Sequence, residues 1–203
     1  MLAVMHHTHQ FKLGFDEVDA LTGPIIGRPK SATYRTADVV GLDTLAHVIK
    51  TMTDNLADDP WANYYASPDW LTALISQGAL GQKTRGGIYR KEGKQIKVLD
   101  LSLQAYRDSD AEVAEELTLI LRHKNPAERF ALLRASQHPQ ARFLWAIFRD
   151  VFHYVAVHLA HIAHNARDVD LAMRWGFGWN AGPFETWQAA GWKEIAKDRK
   201  SVV

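Results

Sequence analysis

Arg28, Lys30 and Arg35 surround Pro29 and Tyr34 in a stretch with no acidic residue between Asp19 and Asp38. Gly27 permits unusual dihedrals and Pro29 fixes one. A rigid Gly-Arg-Pro-Lys turn with two cations suits a phosphate or a carboxylate. The alternative is a local ion pair between Arg35 and Asp38, three residues apart, with the cluster only tying helices together.

Other residues invite chemistry that their spacing does not support. His153, His158, His161 and His164 lie in one helical stretch, and the last three step by three. Metal sites in helical bundles add carboxylates in Glu-x-x-His spacing, which is lacking, so these read as surface or half-buried histidines, as do His6, His7 and His9. Gly176, Gly178 and Gly182 mimic a dinucleotide fingerprint, but a helix instead of a strand precedes them. Lys83, Arg85, Arg90, Lys91, Lys94 and Lys97 form the most basic segment. Only Tyr89 is placed there to stack, so a solvated edge is favoured over nucleic-acid binding. Trp145, Trp175, Trp179, Trp187 and Trp192 crowd the second half and are read as core, or as the interface between the halves.

The elements that must position these residues are written twice. Asp16 to Asp43 recurs at Asp168 to Trp192. With Val18-Asp19 laid on Val169-Asp170 and one residue of slack, Ala32 falls on Gly182, Tyr34 on Phe184 and Gly41 on Gly191. That spacing implies a duplicated helical unit. The cations are not repeated: Asn180, Glu185 and Gln188 stand in the second copy. Helices are expected at Met1 to Lys12, Asp16 to Leu21, after a cap at Thr36 or Asp38, Thr44 to Leu56 as a long amphipathic one, and from Ser67-Pro68-Asp69 to Gly78. A β-hairpin is expected near 87–99, around Gly93, followed by a helix from Ser109-Asp110 to His123 and another capped by Asn125-Pro126. The longest helix should run from Gln140 to Asn165 into the second copy. Only 15 residues precede Asp16, so a longer first helix, and a longer parent protein, is the expectation.

Composition narrows the classes. There are 203 residues, with 24 Lys and Arg against 23 Asp and Glu, which leaves no global field for nucleic acid or an anionic membrane. The lack of Cys removes disulfide and thiolate chemistry. The start lacks a signal-peptide pattern, and Ala141 to Ala163 carries Arg142, Arg149 and Asp150, too polar for a membrane span; a cytoplasmic protein is expected.

Glu17 to Val48 (EVDALTGPIIGRPKSATYRTADVVGLDTLAHV), Gly81 to Lys94 (GQKTRGGIYRKEGK) and Asp168 to Trp187 (DVDLAMRWGFGWNAGPFETW) resemble the C-terminal helical domains of the 3-hydroxyacyl-CoA dehydrogenase family. The resemblance is to the tandem pair in multifunctional fatty-acid β-oxidation proteins. It implies an all-α fold of two tandem related helical domains, 6-phosphogluconate dehydrogenase C-terminal-like, with a small β-hairpin in the first. The expected domains are 1–107 and 108–203. In the family an upstream Rossmann domain binds NAD and carries the His-Glu acid–base pair. The substrate-proximal Asn lies in a Gly-Phe-x-x-Asn-Arg segment. None of these matches a position here, so no catalytic, cofactor-binding or metal residue is assigned, and NAD belongs to the parent protein. The implied partners are that Rossmann domain and an acyl-CoA, with Arg28, Lys30 and Arg35 as the substrate-proximal candidates. Single-copy relatives form homodimers, which tandem copies would mimic, and a homodimer of this chain stays open. Gln188, where the first copy has Asp38, marks the second copy as scaffold. A helical interaction module without enzymatic activity is the alternative.

Overall fold

A computed structural model describes residues 1–197. The chain divides into two compact units, one made of Met1–Ala20 and Ser31–Glu112, the other of Leu21–Lys30 and the chain from Val113 onward. The Gly-Arg-Pro-Lys loop therefore packs with the second unit although it is written inside the first.

The first unit holds α1 (Leu2–Phe11), most of α2 (Phe15–Thr22), α3 (Tyr34–Val40), α4 (Leu42–Asn55) and α5 (Asp69–Ser76). Phe15, Val18, Tyr34, Leu42, Ile49 and Leu71 form its buried centre. The expected hairpin is the first two strands of a three-stranded antiparallel sheet: β1 (Tyr89–Glu92), β2 (Gln95–Asp100) and β3 (Ala105–Asp108). Glu92 pairs with Gln95 across a two-residue turn in which Gly93 has φ 61°. The third strand replaces a stretch with no strong alternation, and what organises it is Arg107. Its Nη1 and Nη2 each donate at 2.8 Å to the two oxygens of Asp16, and its Nε donates at 2.9 Å to Asp100. Burial pushes the Asp16 carboxyl up, but the bonds and charge of Arg107 outweigh it and hold the group below its ordinary value.

Asp38 anchors the other edge of the sheet. Its carboxylate accepts from the backbone N–H of Ile88 at 2.9 Å and of Tyr89 at 2.7 Å. Gly81 and Gly87 lie against it so closely that a Cβ on either would overlap Asp38 atoms. The prediction is that Gly87→Ala costs about 1–3 kcal/mol, whereas Gly86→Ala, with open space around its Cβ, costs far less. Urea denaturation of the two variants checks this, and equal losses would sink it.

The second unit contains α6 (Glu115–Leu121), α7 (Pro126–Ala135), α8 (Pro139–Ile162), α9 (Ala166–Phe177), α10 (Pro183–Ala189) and α11 (Trp192–Ile195). Asn125 caps α7 as expected, its side chain accepting from Ala127 N. The helix expected from Ser109 starts only at Glu115, because Ala111 N is drawn to Asp16 and residues 109–114 remain irregular. By length and apolarity alone the 24-residue α8 qualifies to cross a bilayer, against the reading of its charges, and half of its most apolar window is buried. Phe143, Leu144, Ile147 and Phe152 are that buried face, as a core helix requires. Trp145 is buried and Trp187 stacks on Phe152 at 5.8 Å, whereas Trp175 and Trp192 are 78% and 51% exposed.

Candidate functional site

The two copies share one device that holds their loops. In the first, Asp19 accepts from the backbone N–H of Thr33 (3.0 Å), Tyr34 (2.6 Å) and Arg35 (2.9 Å), capping α3 from 14 to 16 residues upstream. The expected local caps Thr36 and Asp38 lie within the helix instead. In the second, Asp170 accepts from Phe184 (2.8 Å) and Glu185 (3.1 Å) at the start of α10. Tyr34 and Phe184 are the residues that the repeat aligns. Free N–H groups at a helix start need acceptors, and a carboxylate also meets the positive end of the helix dipole. Ala32 with φ 48° occupies in the first copy the place of Gly182 in the second, and a Cβ on Gly182 would overlap Asp170. The Val-Asp pair that both copies share was the signal for these caps, although as sequence it served only to align them.

Arg35 does not pair with Asp38. It is exposed, with Nε 3.9 Å from Asp19 and its guanidinium 4.9 Å over the Tyr89 ring, while the Tyr89 hydroxyl donates to Asp19 at 2.8 Å. Burial pushes the Asp19 carboxyl up to about 6 despite these donors. Asp38, raised by burial as well, is committed to the sheet. That gives the loss of the acid at Gln188 a plain reason: among the described residues every strand follows the first copy, so the second has no strand there to hold.

Arg28 and Lys30 belong to the second unit and Arg35 to the first. Gly27 and Gly178 are both left-handed, φ 75° and 65°; the first ends a 3-10 turn over Pro24–Ile26 and the second ends α9. Asn180 N donates to Gly27 O at 2.8 Å, the Pro29 ring lies 3.3 Å from where a Cβ on Gly178 would be, and the Arg28 guanidinium stands 4.1 Å over the Trp179 ring. With Gly27, Arg28 and Pro29 matched to Gly178, Trp179 and Asn180, the first two contacts are one pair exchanged. The third is a position meeting its own equivalent. The two loops thus pack against each other reciprocally.

Arg28 is partly buried, and that burial lowers its pKa to about 10, so it stays charged near neutrality. Its guanidinium makes no ion pair and donates no hydrogen bond among the described residues. Lys30 is exposed. Of the glycines compared with a dinucleotide fingerprint, Gly176 and Gly178 lie at the end of α9 and Gly182 caps α10, so a helix and not a strand precedes them and their setting does not fit NAD. Among the described residues no three of His, Asp and Glu gather closely enough to hold a metal ion.

The family model described as 3-hydroxyacyl-CoA dehydrogenase, C-terminal domain, matches residues 3–91. A probable 3-hydroxyacyl-CoA dehydrogenase of Bacillus subtilis is 40% identical over 181 residues, 89% of this chain and 23% of the relative. One of Deinococcus radiodurans is 36% identical over 91 residues, 45% of this chain and 25% of the relative. A protein of Rickettsia felis, provisionally named a fatty acid oxidation complex trifunctional enzyme, is 26% identical over 198 residues, 92% of this chain and 26% of the relative. The chain thus spans about a quarter of the length of these relatives. No solved structure matches it. Helical fold, motifs and relatives agree, and the chain belongs to the 3-hydroxyacyl-CoA dehydrogenase family, carrying its C-terminal helical domain.

Proposed function

We propose that this chain is the substrate-covering, dimer-like helical part of an NAD-dependent 3-hydroxyacyl-CoA dehydrogenase of fatty-acid β-oxidation. A Rossmann domain of the same protein supplies NAD and the acid–base pair. The observation that carries the reading is the exchanged packing of Gly27-Arg28-Pro29 with Gly178-Trp179-Asn180, which gives one chain the contacts two identical subunits would make. The similarity to relatives about four times as long supports a partner domain. Within this reading the helices exclude water and hold the acyl-CoA, while Arg28 and Lys30 face its anionic end. Arg35, already engaged by Asp19 and Tyr89, serves the loop first and the substrate second.

The chain by itself should oxidise no NADH with acetoacetyl-CoA, followed by loss of nicotinamide absorbance. Adding the remaining portion of the Bacillus subtilis relative as a separate polypeptide should restore a measurable rate. Robust turnover by the chain alone overturns the reading, as does failure of the two pieces to associate or to work together.

A further inference from the structure

A guanidinium that is partly removed from water is costly unless something accepts its hydrogen bonds. Among the described residues the Arg28 guanidinium has an aromatic face over it and no acceptor. Trp179 compensates the charge partly and holds the group's plane, but it takes none of the five N–H donors. Beside Arg28 lies a cavity of about 20 Å³, lined also by Phe148, Phe152, Trp179 and Thr186, with no carboxylate in its wall. A water-sized guest needs roughly 10–15 Å³ measured in this way, so the space admits one oxygen atom and not a whole phosphate. Apolar walls of that kind lower the local dielectric and strengthen attraction for an anion.

We propose that Arg28 is the anchor of a phosphate-binding subsite, in which one oxygen of a phosphate ester enters the cavity between Arg28, Phe152 and Trp179 while the rest of the ester stays outside. The guanidinium presents its fork from a turn fixed by the left-handed Gly27 and by Pro29, so little freedom is lost on binding. Lys30, two residues on in the chain and exposed, adds a second positive charge to the same loop. The site is particular to the first copy of the loop, because the equivalent position in the second is Trp179 itself. For its ligand the inference rests on the reading above: an acyl-CoA brings phosphate esters on a nucleotide.

Calorimetric titration of the chain with adenosine 3′,5′-bisphosphate and with inorganic phosphate tests the site. Both should bind at low salt, and Arg28→Gln should weaken them at least ten-fold. Arg28→Lys, which keeps the charge but loses the fork, should weaken them less. The Arg28 Nε–H resonance of the unmodified chain should shift during the titration, a readout that does not depend on how the variants fold. Tighter binding of the bisphosphate assigns the nucleotide end of a coenzyme, and equal binding assigns the phosphate alone. No binding of either probe, or equal binding by Arg28→Gln, overturns the site. Binding that persists where the two-piece dehydrogenase assay fails would sink the domain reading and leave this subsite standing.

Discussion

Arg107→Ala is expected to destabilise the chain by about 3 kcal/mol in urea denaturation. Breaking a buried ion pair by removing one partner costs roughly 3–5 kcal/mol, and the low end applies because the Arg107 side chain is 29% exposed while that of Asp16 is 3% exposed. The loss comes from what is left behind: a buried carboxylate at the first turn of α2 that has lost both guanidinium bonds and keeps the N–H of Ala111, at 3.2 Å from the loop after β3, and its own backbone N–H. Asp100 loses the same partner. Arg107→Lys retains the charge but cannot bridge both oxygens of Asp16 and Asp100 together, so it should recover only part of the loss. Because Asp16 sits below its ordinary carboxyl value, its share of stability is present above the unfolded value near 4 and fades as pH falls through the lowered one. The difference between the original chain and Arg107→Ala should therefore shrink on acidification. A change under 1 kcal/mol at neutral pH would show that the pair is incidental.

This network marks the limit of what the sequence revealed. Helices with an apolar stripe and a proline or glycine at the ends, such as α4, α5 and α8, were legible because their signals are local, and α7 was legible from its Asn125-Pro126 cap. The hairpin was legible from its turn. β3 was not, since Ala105-Tyr106-Arg107-Asp108 becomes a strand only through pairing with β2 and through the reach of Arg107 to Asp16, 91 residues away. The same applies to Asp38, which bonds the N–H of Ile88 and Tyr89 50 and 51 residues on, and to Asp19, whose partners are 14 or more residues distant. Arg28, Lys30 and Arg35 could be picked out as a cluster because charge is visible in a sequence. That Arg28 has no acidic partner among the described residues while Arg35 stands beside Asp19 depends on which residues face them, and no pattern within the loop encodes it.

The paired caps give the sharpest comparison between the two copies. Asp19→Ala leaves the N–H groups of Thr33, Tyr34 and Arg35 without their acceptor, two of them on buried residues, and frees the Tyr89 hydroxyl. At about 1 kcal/mol for each stranded donor, the expected loss is about 3 kcal/mol at neutral pH. Asp170→Ala strands the N–H groups of Phe184 and Glu185, neither of them fully buried, and should cost about half as much. The pH dependence fixes the sign. The Asp19 carboxyl lies at about 6 in the folded chain against 3.8 unfolded, so the folded state holds more protons between those values and stability falls as pH rises through that window. The penalty of Asp19→Ala should thus be larger at pH 4 than at pH 7, opposite to the trend for Arg107→Ala, and the Asp19 carboxyl carbon should titrate near 6 by NMR. Equal costs for the two caps would mean that the first copy's extra donors contribute nothing. A penalty that grew toward pH 7 would mean that the carboxylate is satisfied, and that the cap holds the loop by charge more than by the geometry of its three N–H bonds.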